Sequence, residues 1–497
     1  ICSVRVTRTP SRGTIKSVIA VLRGGLLPHN LPETGLDRAR PFSRVRPSAW
    51  RSVINSSPME SKYDVIIIGG RPAGSSLAAR LGAAGLSVLV VERSRFPSPA
   101  PVSAPFLLPH AMALLDEVGA DEAQYAENTP RLRRFALELA GYFRVVFPFA
   151  AEIAGRDYFY TIDRSRLDTC LWRRLAAWPN VHALEDTRAV DLLRDPDGRV
   201  AGVALEDAAG VRREVRARAV VGADGRFSLV ARKVGAKVTE ERDDVATTIY
   251  YDHWHDVADY DDAGAPIAHI HSSCDGFSFV FMPTSDGRTI VLAQGRADAY
   301  AALQGEPDAI YASLLRARPR LWWRLAGARR AGELAGMKRV GNLFREPGGP
   351  GWALVGDAYH QKDSIDAQGI YDALLGAKLL AEEIVAWSRG QVPWDTAVAR
   401  YGERAYAACK PMFDATMGRL QREVYSAPPP PVAKTMMRWM LTHPDYGRRY
   451  AALVTRQIDP AKFLPPGLLL SLAAKGAVQR LRRKLAGHDP TDPRALA

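Results

Sequence analysis

A chain of 497 residues with 47% apolar composition can bury a large core, and its length accommodates two or three structural units. The formal charge of +13 does not mark a nucleic-acid binder: in residues 1–58 ten cations face only Glu33 and Asp37, which accounts for eight of the thirteen charges. Cys2, Cys170, Cys274 and Cys409 stand far apart with no C-x-x-C pair, which excludes a disulfide framework, a zinc site or a dithiol centre and points to a reducing, cytoplasmic setting.

Residues 1–58 are rich in Arg, Pro and Ser without an apolar period, and they are read as a disordered or non-native leader. Translated sequence ahead of a start at Met59, a transit-type leader and a disordered arm all fit them. No run of about 18 apolar residues occurs, so no membrane span is expected.

Tyr63 to Ile68 is a short, β-branched apolar run of the kind that forms a strand buried on both faces. A tight turn follows, then small and apolar residues at helical spacing (Ala78, Leu81, Ala84), a turn at Gly85 and a second strand from Ser87 to Val91. This is a βαβ unit, closed by Glu92, where a carboxylate can accept hydrogen bonds from both hydroxyls of an adenosine ribose. In the turn, Gly69 and Gly74 occupy two of the three positions of a G-x-G-x-x-G pattern, but Arg71 holds the middle one. A guanidinium there can bond a diphosphate bidentately; the bland alternative is a degenerate motif.

Two later strands end the same way. Ala219 to Val221 delivers Gly222-Ala223-Asp224-Gly225, and the strand within residues 351–355 ends in Gly356-Asp357. A polar loop then leads to Gly369-Ile370, which opens a helix with Leu374, Leu375, Leu379 and Ile384 on its apolar side. Three strand ends carrying small residues plus an acid suit one extended ligand along the carboxyl edge of a doubly wound sheet.

These stretches, in this order and spacing, resemble the flavoprotein monooxygenases of the para-hydroxybenzoate hydroxylase-like fold (group A), over residues 62 to 390. The resemblance implies an α/β fold: a Rossmann-like FAD-binding domain with a parallel sheet, an antiparallel-sheet substrate domain, and a mainly helical C-terminal tail. It implies a discontinuous FAD-binding domain at 59–105, 155–245 and 335–390, a substrate domain at 106–154 and 246–334, and a helical region at 391–497. Glu92 would hold the adenosine ribose, with Arg93 beside it, and Gly69, Gly70, Arg71, Ala73 and Gly74 would form the dinucleotide turn. Asp224 and Gly225 would lie near the pyrophosphate and the route of the nicotinamide donor. Gly356 and Asp357 would hold the ribityl chain, and Arg164 in IDRSRLD would reach the diphosphate or ribityl region. Gly369 and Ile370 would aim backbone N–H groups at the flavin edge where charge accumulates on reduction.

A subset of the family pairs an arginine at the middle position with segments like residues 95–119 and 359–370. In the second segment Ser364 replaces the usual proline and Asp366 a small hydroxylated residue, and loss of proline is expected to loosen that loop. The function implied is NAD(P)H- and dioxygen-dependent hydroxylation or epoxidation, through a flavin hydroperoxide, of a small-molecule substrate that is largely apolar, aromatic ones included. A reductase of the geranylgeranyl reductase type shares the motifs, and a flavoprotein without turnover is the alternative of a different class. No catalytic triad or metal site is nominated.

Between 246 and 295, strand-like runs at Thr247–Tyr251, Ile267–Ile270, Gly276–Met282 and Thr289–Ala293 suggest an antiparallel sheet. Tyr250, His269, His271 and Phe279 within it are read as ordinary packing. The Trp322-Trp323 pair is read as helix packing, and the Trp-x-Trp-x-Ile-Pro signature of flavin halogenases is missing. Pro428–Pro431 reads as a rigid spacer. Leu468 to Leu485, with Lys475, Arg480, Arg482, Arg483 and Lys484, reads as an amphipathic basic helix. It fits a membrane surface or an acidic partner, but docking on the FAD domain with a solvated basic face is the expectation.

Overall fold

Strands covered by helices on both faces need apolar side chains at every position, and the first sheet is built from such strands. The computed structural model describes residues 62–100, 103, 105–273, 275–426 and 429–486. The expectations for residues 1–58 and Met59 lie outside the described residues, as do Cys2, Cys274 and Pro428. Strand β1 (Lys62–Ile68) buries Val65, Ile66 and Ile67 completely and leads into helix α1 (Pro72–Ala83) and β2 (Val88–Val91). Helix α2 (Arg164–Arg174) precedes β3 (Val181–Leu184), and β4 (Thr187–Arg194) and β5 (Val200–Asp207) form a hairpin. Next come β6 (Arg212–Gly222) and, far along the chain, β7 (Trp352–Leu354).

The order across the sheet is β7-β6-β1-β2-β3, every neighbouring pair parallel, with the β4–β5 hairpin joined to β6 antiparallel. Sequence reading placed only Ala219–Val221 in β6. The strand starts seven residues earlier because RREVRAR alternates, burying Val215 and Ala217 while its charged residues face water.

The second sheet runs in the order Arg329–Arg330, Thr247–His255, Thr289–Arg296, Phe277–Pro283, Ala268–Ser272, Arg134–Leu139, Phe143–Pro148, and Ala335–Val340 also pairs with Thr247–His255. It is antiparallel except where Ala268–Ser272 meets Arg134–Leu139 in parallel, a joint that the sequence did not suggest. Tyr250 and Phe279 belong to the core on one face of this sheet, and His269 and His271 are buried around Glu138. Of the tryptophan pair in the helix Pro319–Leu325, Trp322 packs on that core but Trp323 is exposed, so only half of the pair does what was expected.

The C-terminal third is helical: α3 (Gly369–Ser388), α4 (Trp394–Leu420), α5 (Pro431–Leu441), α6 (Pro444–Val454) and α7 (Pro466–Leu485). Pro431 stands at the first position of α5, where its missing N–H costs nothing. Helix α7 does not dock on the FAD-type sheet as expected. Leu472 and its neighbours Leu468 and Leu469 join Met440 and Leu441 of α5 in the core of the second sheet.

Candidate functional site

Parallel register brings the ends of four strands level. Ile68 pairs with both Val91 and Gly222, and Gly222 pairs with Leu354. The ladder runs one step further through Gly69 N to Val91 O (2.8 Å), Ala223 N to Ile68 O (2.8 Å) and Val355 N to Gly222 O (2.9 Å). Gly69-Gly70, Glu92, Ala223-Asp224-Gly225 and Gly356-Asp357 therefore share one carboxyl edge. Gly69 has φ +101°, and a Cβ there would lie 2.5 Å from Ala223 O; a Cβ on Gly74 would lie 1.8 Å from Gly69 O. Only glycine lets α1 begin that close to the turn. A Cβ on Gly356 would stand 3.0 Å from that of Ala73, so the β7 edge reaches the first turn of α1.

Two helix N-termini open on this edge without side-chain caps. Helix α1 starts at Arg71-Pro72 with no acid in its first turn, and α3 starts at Gln368, whose amide instead donates to Val454 O at 2.8 Å. A Cβ placed on Gly369 would meet nothing within 4 Å, so the mouth of α3 is open space. The side chain of Ile370 is buried in the core. Exposed N–H groups and the positive end of the dipole make such termini anion sites.

Glu92 is buried, and its carboxylate accepts from Gly70 N (2.8 Å) and Ser94 N (3.0 Å), leaving lone pairs for hydroxyl donors; Arg93 beside it is exposed. Asp224 Oδ2 accepts from Leu229 N (2.7 Å) and Val230 N (3.2 Å), while its Oδ1 is buried without a partner among the described residues. Burial raises the Asp224 carboxyl above its ordinary value despite these bonds. An orphaned acceptor, an open helix mouth, a second uncapped helix and a buried carboxylate on one edge fit an elongated dinucleotide carrying a diphosphate. They fit FAD, with Glu92 at the adenosine ribose and the α1 terminus at the diphosphate. Bound there, FAD would supply the redox chemistry that no side chain of the chain supplies.

The anomalous Arg71 is anchored. Its Nη1 donates to Asp168 Oδ2 at 2.7 Å, and its Nη2 donates to Ser98 Oγ (3.1 Å) and Pro99 O (3.0 Å). Arg164 holds the same carboxylate through Nε (3.0 Å) and Nη2 (3.1 Å) and reaches Ser103 Oγ at 3.1 Å. Asp168, wholly buried, thus joins two arginines that sequence reading assigned separately. Its signal was its place four residues after Arg164 on one face of α2. Sequence reading also missed Arg226, whose Nε pairs with Asp357 Oδ2 at 3.0 Å and whose Nη2 donates to Lys362 O at 3.0 Å. It ties the strand end of β6 to that of β7.

The loop before α3, where the missing proline was expected to loosen the backbone, is held by side-chain bonds from the C-terminal helices. Asp366 bonds Arg419 Nη1 (2.9 Å) and Thr416 Oγ1 (2.5 Å) of α4, and the same Arg419 Nη1 donates to Ile365 O at 3.0 Å. Burial alone would raise the Asp366 carboxyl, but Arg419, Lys362 and Thr416 outweigh it and hold it below its ordinary value. Arg456, just past α6, donates to Gln368 Oε1 (3.0 Å) and Asp372 Oδ1 (2.7 Å), and Lys362 pairs with the other Asp372 oxygen at 3.1 Å. Helices beyond the recognisable motifs therefore clamp the loop.

Between that loop and the second sheet lies a small cavity of about 30 Å³. Phe106, Ile270, Val280, Met282 and Leu292 form apolar walls, and Ser278, Gln294, Ser364 and Arg419 supply polar points. The Ser278 and Ser364 hydroxyls have no side-chain partner among the described residues. Elsewhere, ligand atoms of Glu138, His269 and His271 lie within 4.8 Å of one another, but Tyr260 O–H (2.8 Å) and Arg144 Nε (3.3 Å) occupy the carboxylate and Arg324 Nη1 (3.1 Å) occupies His269 Nδ1. Two guanidinium groups so close oppose a cation there.

The FAD binding domain family model matches residues 62–416. The chain is 28% identical over 342 residues to a menaquinone reductase of Mycolicibacterium smegmatis, covering 65% of this chain and 76% of that protein. It is 27% identical over 355 residues to a ubiquinone hydroxylase of Rhodospirillum rubrum, covering 69% and 76%. The solved structure of the flavin-dependent brominase Bmp2 superposes with a TM-score of 0.68 at 21% identity, covering 85% of this chain and all of that one, a likeness of fold. The edge geometry and the match over residues 62–416 together show that the chain belongs to the FAD binding domain family, as an FAD-dependent oxidoreductase of the para-hydroxybenzoate hydroxylase-like fold.

Proposed function

We propose that the protein uses NAD(P)H and dioxygen to hydroxylate or epoxidise a small, neutral, largely apolar molecule, aromatic ones included. The observation that carries this reading is the mainly apolar cavity beside the α3 mouth, lined on one side by the 364–367 loop that leads into α3. Arg419 brings a cation to its rim, but Asp366 at 2.9 Å and Glu423 at 3.0 Å offset that charge. An anionic substrate gains little there; a carbonyl or hydroxyl oxygen can still accept from the guanidinium and bond Ser278 or Ser364. Those groups orient the substrate, and the uncapped α3 terminus stabilises negative charge developing on the cofactor. Turnover under labelled dioxygen tests the reading: product heavier by one labelled oxygen, formed in step with donor oxidation, supports it, and donor oxidation that yields only peroxide with every candidate substrate counts against it.

A second reading, reduction of a carbon–carbon double bond in a quinone side chain or other isoprenoid, is favoured by the likeness to a menaquinone reductase. Anaerobic turnover separates the two, because a reductase saturates its substrate without dioxygen and a monooxygenase forms no product.

A further inference from the structure

We propose that α7, with α5 beneath it, is a docking surface for an anionic lipid bilayer. The inference is independent of the substrate reading above. On a helix of 3.6 residues per turn, Leu470, Ala474, Val478, Leu481 and Leu485 fall on one stripe, opposite Leu472, Ala473 and Gly476. The second set is buried: a Cβ on Gly476 would lie 1.8 Å from Trp439 O, so this face is seated on α5. The first set faces outward, with Leu470 60%, Val478 50%, Leu481 59% and Leu485 79% exposed. Val432 of α5 is 73% exposed, so five of the twelve exposed large apolar side chains among the described residues sit on this one helix pair. Single exposed leucines are ordinary, but a clustered stripe is not.

Charge selects the occupant. The exposed Lys475 and Arg482 border the stripe on one side and the exposed Lys484 borders it on the other. Residues 466–485 carry five cations and no acid. An apolar stripe flanked by cations is the form of a helix that lies in the headgroup boundary, with leucines in the acyl region and lysine and arginine at lipid phosphates. A second copy of the chain would bring equal positive charge to the same patch, and nucleic acid would leave the leucines uncovered. No described helix is long and apolar enough to cross a membrane, so contact through this face is by adsorption.

The test is flotation of the FAD-loaded full chain with vesicles of phosphatidylcholine alone or mixed with phosphatidylglycerol. Binding to the mixed vesicles, weakening with salt, is expected. Leu481→Glu with Leu485→Glu should lower the vesicle-bound partition by about tenfold or more per leucine, and Lys475→Gln with Arg482→Gln should flatten the salt dependence. These surface changes leave flavin absorbance and the unfolding midpoint intact. No binding to mixed vesicles, or binding indifferent to both double variants, overturns the proposal. Concentration-dependent dimerisation abolished by the leucine variants overturns it in favour of a second copy. Binding by a chain ending at Ala486 but not by the full chain overturns it in favour of residues 487–497 covering the stripe.

Discussion

Arg71 and Arg164, 93 residues apart in the chain, close on one fully buried carboxylate, Asp168: Arg164 grips both of its oxygens and Arg71 shares Oδ2. The arginine in the middle of the glycine turn is therefore half of a clamp that pins the 98–99 segment and α2 to the start of α1. Its spare N–H groups can still meet a diphosphate, and contact and clamping make different predictions. Arg71→Ala should weaken FAD binding by about ten- to a hundredfold, the loss of a charge-assisted bond of roughly 1.5–3 kcal/mol. Arg71→Gly should not rescue it, since backbone room is regained while the guanidinium is lost. Asp168→Asn then decides the role: if Arg71 serves the diphosphate directly, affinity holds or tightens; if it acts as a clamp, affinity falls as far as in Arg71→Ala. Titration of apoprotein with FAD reads all three, and wild-type affinity in all three would remove Arg71 from cofactor binding.

The loop that lost its proline retains the geometry for one. Asp363 has φ −56° and ψ 146°, the extended backbone that precedes proline, and Ser364 opens a short 3₁₀ turn. Ser364→Pro is expected to raise stability by about 0.4–1 kcal/mol through the unfolded chain. Asp366→Ala, by contrast, leaves Arg419 with Glu423 as its one carboxylate partner in a largely buried place and should cost about 3 kcal/mol. Urea midpoints at constant m-value check both; a destabilising Ser364→Pro would mean that the turn needs the Ser364 N–H.

The strand-end motifs were legible because each is local: a buried parallel strand is an unbroken apolar run, and a turn that presses a helix against a strand admits only glycine. Glu92, Asp224 and Asp357 could be read for the same reason, each lying just past such a run. What escaped was pairing across the fold. Asp168 meets Arg71 across 97 positions, and Arg419 meets Asp366 across 53, and no periodicity links them. The charged half of β6 was hidden because a strand exposed on one face alternates instead of running apolar. The cavity needs the inward faces of three strands at once, and alternation within one strand does not say which face its neighbours share.

Three buried histidines make the fold acid-sensitive at mild pH. Burial lowers His110 and His360 to about 3 and His269 to about 4, from an ordinary value near 6.5. Each stays neutral in the fold while its unfolded counterpart takes up a proton, so the unfolded state binds more protons and stability falls as pH drops below about 6.5. Each group contributes roughly 1.4 kcal/mol per pH unit until its folded value is reached. Asp372, held at about 2 by Lys362 and Arg456 against burial, adds a second loss only as pH falls below its ordinary value near 3.8. Chemical denaturation at pH 7, 6 and 5 should show a slope near three protons at the acid end, and His360→Phe, which keeps the stack on Phe344 at 4.1 Å, should remove one of them. A flat profile between pH 7 and 5 would mean that these rings are protonated or solvated in the fold.

Filling the cavity should separate substrate binding from cofactor binding. Val280 lies on the strand Phe277–Pro283 and lines the space opposite the 364–367 loop, whereas Glu92, Asp224 and the α1 terminus lie on the carboxyl edge of the first sheet. Val280→Trp adds an indole to a space of about 30 Å³ shared by apolar walls and a few polar points. The expected result is unchanged FAD affinity and flavin absorbance, with substrate-stimulated donor oxidation lowered by about a hundredfold or more, the order of effect that a steric block in a pocket gives. Val280→Ala enlarges the same space and should shift preference toward bulkier substrates at a stability cost of about 1–3 kcal/mol. The comparison is between KM for substrate and Kd for FAD in each variant. If Val280→Trp lowers FAD affinity while substrate turnover per bound flavin is kept, the cavity is a packing defect beneath the cofactor and the substrate enters elsewhere.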